Sequence, residues 1–133
     1  MFILLISILV GAHAEELTGN AEHAHRLVRD FYKKAKHGTI EEAKMFLDDR
    51  FVYKSYIGPD SNGEGFIKLV AKDGAEVNLD KPELVDNGKD KVVLVYTNKN
   101  IKLSFELKMT INVSKIGSFK LGSVVRAFVK NEY

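Results

Sequence analysis

Three short patterns in this chain carry groups that bind metals or accept a modification. Asp60, Ser61, Asn62, Gly63, Glu64 and Gly65 imitate the opening of a calcium loop, with oxygen ligands at the first, third and fifth places and glycine at the sixth. The twelfth place falls on Ala71, where a bidentate glutamate would close such a site, so the segment reads as a turn and helix cap. His23 and His25 stand two apart on a helical stretch, a spacing that points them in different directions, whereas a helical zinc pair needs i and i+4. Both read as surface histidines. Asn112, Val113 and Ser114 form the only N-x-Ser/Thr sequon of the chain, a glycan acceptor in an exported protein. A P-loop, a G-x-S-x-G elbow and a dinucleotide fingerprint are all absent from the sequence. These patterns predict no metal site and no cofactor.

The start of the chain carries its address. From Phe2 to Val10 every residue except Ser7 is strongly apolar, and Gly11, Ala12, His13 and Ala14 follow before the acidic pair Glu15 and Glu16. This A-x-A ending predicts a signal peptide over residues 1–14, cleavage after Ala14, and a single secreted, extracellular domain over residues 15–133. The apolar run is about half the ~20 residues that a membrane-spanning helix needs, so no membrane anchor is expected. Cysteine is absent, and a secreted domain without disulfides must be held by burial alone. Twenty Lys and Arg against 18 acids give a net charge of +2 with no basic stripe, which argues against a nucleic-acid partner.

The elements that must position any site fall into a helical first part and a stranded second part. Asn20 reads as the cap of a helix to about His37, because Ala24, Leu27, Val28, Phe31, Tyr32 and Ala35 recur at three- and four-residue steps. Gly38 ends it. Thr39-Ile40-Glu41-Glu42 is a capping box for a short second helix with Ile40, Ala43, Phe46 and Leu47 on its apolar face. Residues 51–57 suit a strand, and Gly58-Pro59-Asp60 turns the chain. Ser61 with Glu64 predicts a third helix, striped by Phe66, Leu69 and Val70 and ended by Gly74.

Beyond residue 75 the period becomes two. Leu103, Phe105, Leu107, Met109, Ile111 and Val113 alternate against Ser104, Glu106, Lys108, Thr110, Asn112 and Ser114, the pattern of a long strand with one buried face. Residues 92–97 and 119–130 flank it as strands, and Asn87-Gly88 marks a hairpin after a strand over 76–86. Pro82 makes that earlier strand an edge or a bulged one. On the last strand, alternation predicts Phe119, Leu121, Ser123, Val125, Ala127 and Val129 as the inward series and turns Arg126 toward solvent.

This order of elements, with Leu27-Val28-Arg29-Asp30-Phe31-Tyr32, then Ala43-Lys44-Met45-Phe46-Leu47, then Asp48-Asp49-Arg50-Phe51-Val52, resembles the opening of nuclear transport factor 2-like domains. The resemblance implies an α+β cone, with N-terminal helices packed on a curved, mainly antiparallel sheet around an apolar cavity. Phe31, Tyr32, Tyr53, Phe105, Met109, Ser123 and Val125 are the candidate cavity-lining residues under it. The family holds cofactor-free isomerases, dehydratases and epoxide hydrolases beside members with no enzymatic role, and fold alone cannot choose among them. The inward residues of the long strand cannot move a proton, and Ser123 lacks a placed base. The leading expectation is therefore a secreted non-catalytic binding domain for a small hydrophobic ligand or an extracellular protein. A cofactor-free isomerase, dehydratase or hydrolase would use Tyr32 or Tyr53 with Asp30 or Asp48 as base. A cystatin-like protease inhibitor ranks last, because the Gln-x-Val-x-Gly hairpin loop is missing. Domains resembling this fold often pair through their outer sheet faces. A glycan on Asn112, which alternation places on that face, would block a sheet-face homodimer, so a glycosylated monomer is expected.

Overall fold

The computed structural model describes residues 17, 19–56, 58–73, 77–99 and 104–129. The predicted signal peptide and its cleavage site at Ala14 lie outside the described residues. Among the described residues, three helices, α1 (Asn20–His37), α2 (Ile40–Lys44) and α3 (Gly63–Ala71), pack on one five-stranded sheet made of β1 (Leu47–Ser55), β2 (Glu83–Asn87), β3 (Lys91–Lys99), β4 (Ser104–Val113) and β5 (Phe119–Val129). The sheet order is β1-β5-β4-β3-β2. Strands β2 to β5 form an antiparallel meander, and β1 pairs with β5 in parallel, so the curved sheet is open and mixed.

Local chemistry accounts for most boundaries. Helix α1 buries Ala21, Ala24, Val28, Phe31, Tyr32 and Ala35 along one stripe, as its spacing requires. Its N-cap is Gly19, at the left-handed φ of 59° that suits glycine, and Asn20 is the first helical residue instead of the expected cap. Thr39 and Glu42 close the capping box of α2 reciprocally, with bonds of 3.1 and 2.9 Å. The cap of α3 is Asn62, whose Oδ1 accepts from the Gly65 amide at 2.9 Å, not Ser61. Ser61 instead exchanges two backbone bonds of 2.9 Å with Tyr53. Strand β1 begins four residues before the expected start, taking Leu47 from the helix face into the sheet. Strand β2 starts only after Pro82, since a proline has no amide to give the ladder, and it forms the far edge with a bulge between Leu84 and Asp86.

The inner face of the sheet supplies Leu94, Tyr96, Leu107, Met109, Ile111, Leu121 and Val124, all with no exposed surface. The helical layer answers with a stack of rings. Phe66 of α3 lies parallel to Phe31 of α1 at 5.8 Å, and Phe51 and Tyr53 of β1 approach it at 5.4 and 5.0 Å. Offset rings at such distances fill space and add about 0.5–1.5 kcal/mol per pair beyond burial. The interior between α1, α3 and β1 is thus occupied by the protein's own aromatic side chains.

Candidate functional site

One residue in β5 decides which side chains reach the open end of the cone. Ile111 pairs with Leu121, but its neighbour Thr110 pairs with Ser123, so Gly122 is an extra residue opposite no partner. Because side chains alternate, one added residue reverses every facing after it. Leu121 and Val124 both point inward, and the continuation puts Arg126 on the inner face beside Leu107. Ser123 and Val125 pair with Thr110 and Lys108 of the outer row, so the expected cavity positions at Ser123 and Val125 are corrected to the outer face. Arg126, expected in solvent, is corrected to the interior side. The bulge is specified locally: a Cβ on Gly122 would run into the Asn112 amide, so glycine leaves room for the Asn112 side chain there.

Arg126 lies in the mouth of the cone. Its guanidinium sits over the Phe105 ring at 4.1 Å from the centroid, and its Nε is shielded from solvent. The parallel register of β1 brings Ser55 directly beside it and Tyr53 two pairs away on the same face, beside Val124. Helix α3 forms the opposite wall through Gly65, Lys68, Leu69 and Lys72, which share one face at three- and four-residue steps. Between these elements lies a pocket of about 420 Å³. Glu64 pairs with Lys68 at 3.2 Å and with Lys44 at 3.8 Å. Lys72 has no ion-pair partner among the described residues.

The other expected site residues are placed as follows. Phe31, Phe105 and Met109 are buried on the inner side, as are Tyr32 and Tyr53. Burial, followed by the neighbouring Tyr96 and Tyr53, pushes the Tyr32 hydroxyl well above the ordinary tyrosine range, so it stays protonated. Asp30 is exposed on α1, and Asp48 accepts from Asn112 Nδ2 at 3.1 Å, the bond that most lowers its pKa. Asn112 therefore spends on Asp48 the nitrogen that a glycan would take.

A second opening follows α1. It holds about 700 Å³ between the helix and residues 77–80 and is lined by His25, Arg29, Tyr32 and Asp80 among others. His25, expected on the surface, is corrected to a half-buried position: its Nδ1 lies 2.8 Å from the Tyr96 hydroxyl, and the two rings stack at 5.9 Å. Burial, then Arg29, lowers the His25 pKa, and Asp80 opposes them. Burial raises the Tyr96 hydroxyl above its ordinary range. The signal for this pair was faint, since only the inward phase of Tyr96, after Val92 and Leu94 on the same face, marked it.

No protein-family model matches the sequence, and no curated protein matches it. Solved structures do match in three dimensions. A nuclear transport factor 2-like protein with a cystatin-like fold from Novosphingobium aromaticivorans aligns at TM-score 0.60 and 12% identity, over 99% of this chain and 92% of that one. A nuclear transport factor 2-like protein of unknown function from Silicibacter pomeroyi aligns at 0.56 and 18%, over 84% and 100%. A ketosteroid isomerase-like protein from Erwinia carotovora atroseptica aligns at 0.54 and 11%, over 81% and 95%. At these identities the likeness concerns architecture, and the architecture is plain: this chain has the nuclear transport factor 2-like fold.

Proposed function

We propose that the mature chain is a secreted, non-catalytic binding domain that takes a small, largely apolar ligand at the mouth of the cone. The observation that carries this reading is the lining of the 420 Å³ pocket between β1, α3 and β5. Tyr53, Pro59 and Leu69 give it apolar surface, and its described lining includes neither a carboxylate nor an imidazole to act as a base. The stacked rings of Phe31, Phe66 and Tyr53 leave the ligand to the mouth instead of the centre. Export rests on the apolar run ending in Ala12-His13-Ala14. Mass spectrometry of medium from expressing cells should find Glu15 as the first residue, and secreted protein that retains Met1 refutes that part.

Binding is tested with the neutral dye N-phenylnaphthylamine. Its fluorescence should rise saturably with the wild-type protein, and Leu69→Lys should abolish the rise while leaving the melting temperature close to wild type. A dye that fails to saturate, or that binds Leu69→Lys equally, removes the mouth as the site.

A catalytic reading has one specific observation in its favour, the His25–Tyr96 pair in the larger groove. A neutral imidazole hydrogen-bonded to a protonated phenol supplies a base and an acid for proton transfer on a small substrate. The fold is also shared with a ketosteroid isomerase-like protein. Dye binding that is lost in His25→Gln and kept in Leu69→Lys would move the site to that groove and favour this reading.

A further inference from the structure

The chain holds two Asn-Gly steps, Asn62-Gly63 and Asn87-Gly88, and the fold treats them differently. We propose that Asn87, at the end of the edge strand β2, is a site of spontaneous deamidation and isoaspartate formation, while the cap of α3 protects Asn62. In this reaction the Gly88 backbone nitrogen loses its proton and bonds to the carbonyl carbon of the Asn87 side chain, Cγ. The Cγ–Nδ2 bond breaks, and ammonia leaves with a proton taken from water. A second water then opens the five-membered imide at either carbonyl, giving aspartate or isoaspartate. Glycine after the asparagine favours closure, because it has no side chain to crowd the ring.

At Asn62 side chain and backbone are both engaged. Its Oδ1 caps α3 by accepting from the Gly65 amide at 2.9 Å, and its carbonyl accepts from the Phe66 amide at 3.0 Å. Gly63 sits against Leu47, whose Cδ1 would lie 2.9 Å from an added Cβ. Closing the ring would draw Cγ off the cap toward the Gly63 nitrogen and twist the first turn of a helix that buries Phe66, Ile67 and Val70. The lost cap and the twisted turn together slow the reaction on the order of tenfold or more.

Asn87 has none of these restraints. All five residues of β2 are exposed, and the strand pairs with β3 alone. The bulge between Leu84 and Asp86 leaves Asp86 with Val93 and Asn87 with Val92 as the pairs at the hairpin end. The Asn87 side chain makes no hydrogen bond or ion pair among the described residues. One bond guards the nucleophile: the Gly88 amide donates to the Lys91 carbonyl at 2.9 Å, and it must open before the nitrogen can attack. An edge ladder whose residues are all exposed opens locally at low cost, whereas the first turn of α3 is backed by the core. Either product puts a new negative charge beside Asp86. Isoaspartate also lengthens the backbone by one carbon, which disrupts the pairing of residue 87 with Val92.

Peptide mass mapping of the folded protein, incubated in mildly alkaline buffer beside a sample unfolded in guanidinium chloride, tests this. In the folded protein the Asn87 peptide should gain the mass difference between an amide and an acid at least about tenfold faster than the Asn62 peptide. It should also split into two chromatographic isomers, aspartate and isoaspartate. In the unfolded sample the two rates should converge, since neither cap nor ladder remains. Asn87→Gln, whose longer side chain would have to close a less favoured six-membered ring, should abolish the change at that peptide. The same variant should leave the Asn62 rate and the melting temperature as they are. Equal rates at the two steps of the folded protein, or a faster Asn62, overturn the proposal. So does an Asn87 that stays unmodified while the unfolded sample converts.

Discussion

The floor and the mouth of this cone share two elements, β1 and α3, and differ in what they ask of them. At the floor, β1 and α3 present Phe51, Tyr53 and Phe66 to Phe31 of α1, and the rings close on one another at 5.0 to 5.8 Å. At the mouth the same strand and helix present Ser55, Lys68 and Lys72, and β5 adds Arg126. The floor lowers the free energy of the fold. The mouth holds polar groups, with Lys68 and Lys72 in solvent, where a substitution costs the fold little. Stability and binding should therefore be separable by mutation, and each of the following substitutions tests that separation.

Phe66→Ala should have the largest effect. It removes a fully buried ring that touches three others, and a loss of about 3–5 kcal/mol is expected from urea unfolding monitored by circular dichroism. A loss under about 1 kcal/mol would mean that the floor is loosely packed and that the contrast with the mouth is wrong.

Gly122→Ala comes next, because it sits where floor and mouth meet. The added methyl would have to displace the Asn112 amide, breaking its bond to Asp48, at a cost of about 1–3 kcal/mol. Dye affinity should fall with it, as the crowded bulge shifts and takes Arg126 with it. A stable variant with wild-type affinity would show that the bulge does not govern the mouth. The same crowding predicts that Asn112 carries no glycan when the chain is expressed in cells that glycosylate. Its intact mass should show no hexosamine-containing adduct, and such an adduct would contradict the packing described here.

His25→Gln tests the region outside both. The folded state lowers the His25 pKa, so it favours the neutral ring and binds fewer protons there than the unfolded chain. Stability from this group is full above the unfolded value, roughly pH 6.5, and falls as pH drops below it. Arg29 and Asp80 are the charges that face the ring, with opposite signs of effect. The variant should lose part of the decline in melting temperature between about pH 7 and pH 5 that the wild type shows. An unchanged profile would place the acid-sensitive group elsewhere.

The smallest effect is expected for Ser123→Ala. The bulge puts Ser123 on the outer face opposite Thr110, so stability should move by no more than about 0.5 kcal/mol and dye affinity not at all. A clear loss of binding would return Ser123 to the cavity.

By itself the sequence determined the elements that repeat. The stripe of α1, the Thr39 to Glu42 capping box and the alternation of β4 from Phe105 to Ile111 all hold in three dimensions, since each is set by neighbours three, four or two residues away. The architecture was legible for the same reason: helices with one apolar stripe followed by half-buried strands have few ways to cover each other. The candidate site was legible only in part. Tyr53 and Phe105 could be placed from their own strands, but Arg126, Ser123 and Val125 could not. Their facing depends on Gly122, and nothing in β5 alone says that this glycine is an extra residue; the Asn112 side chain, tied to Asp48 of β1, fills the place its Cβ would need. His25 was likewise read as a surface group because its partner Tyr96 is 71 residues away on β3. Periodicity reports which face of an element is buried, whereas a bulge or a buried pair is a contact between distant segments, and only the folded chain brings those segments together.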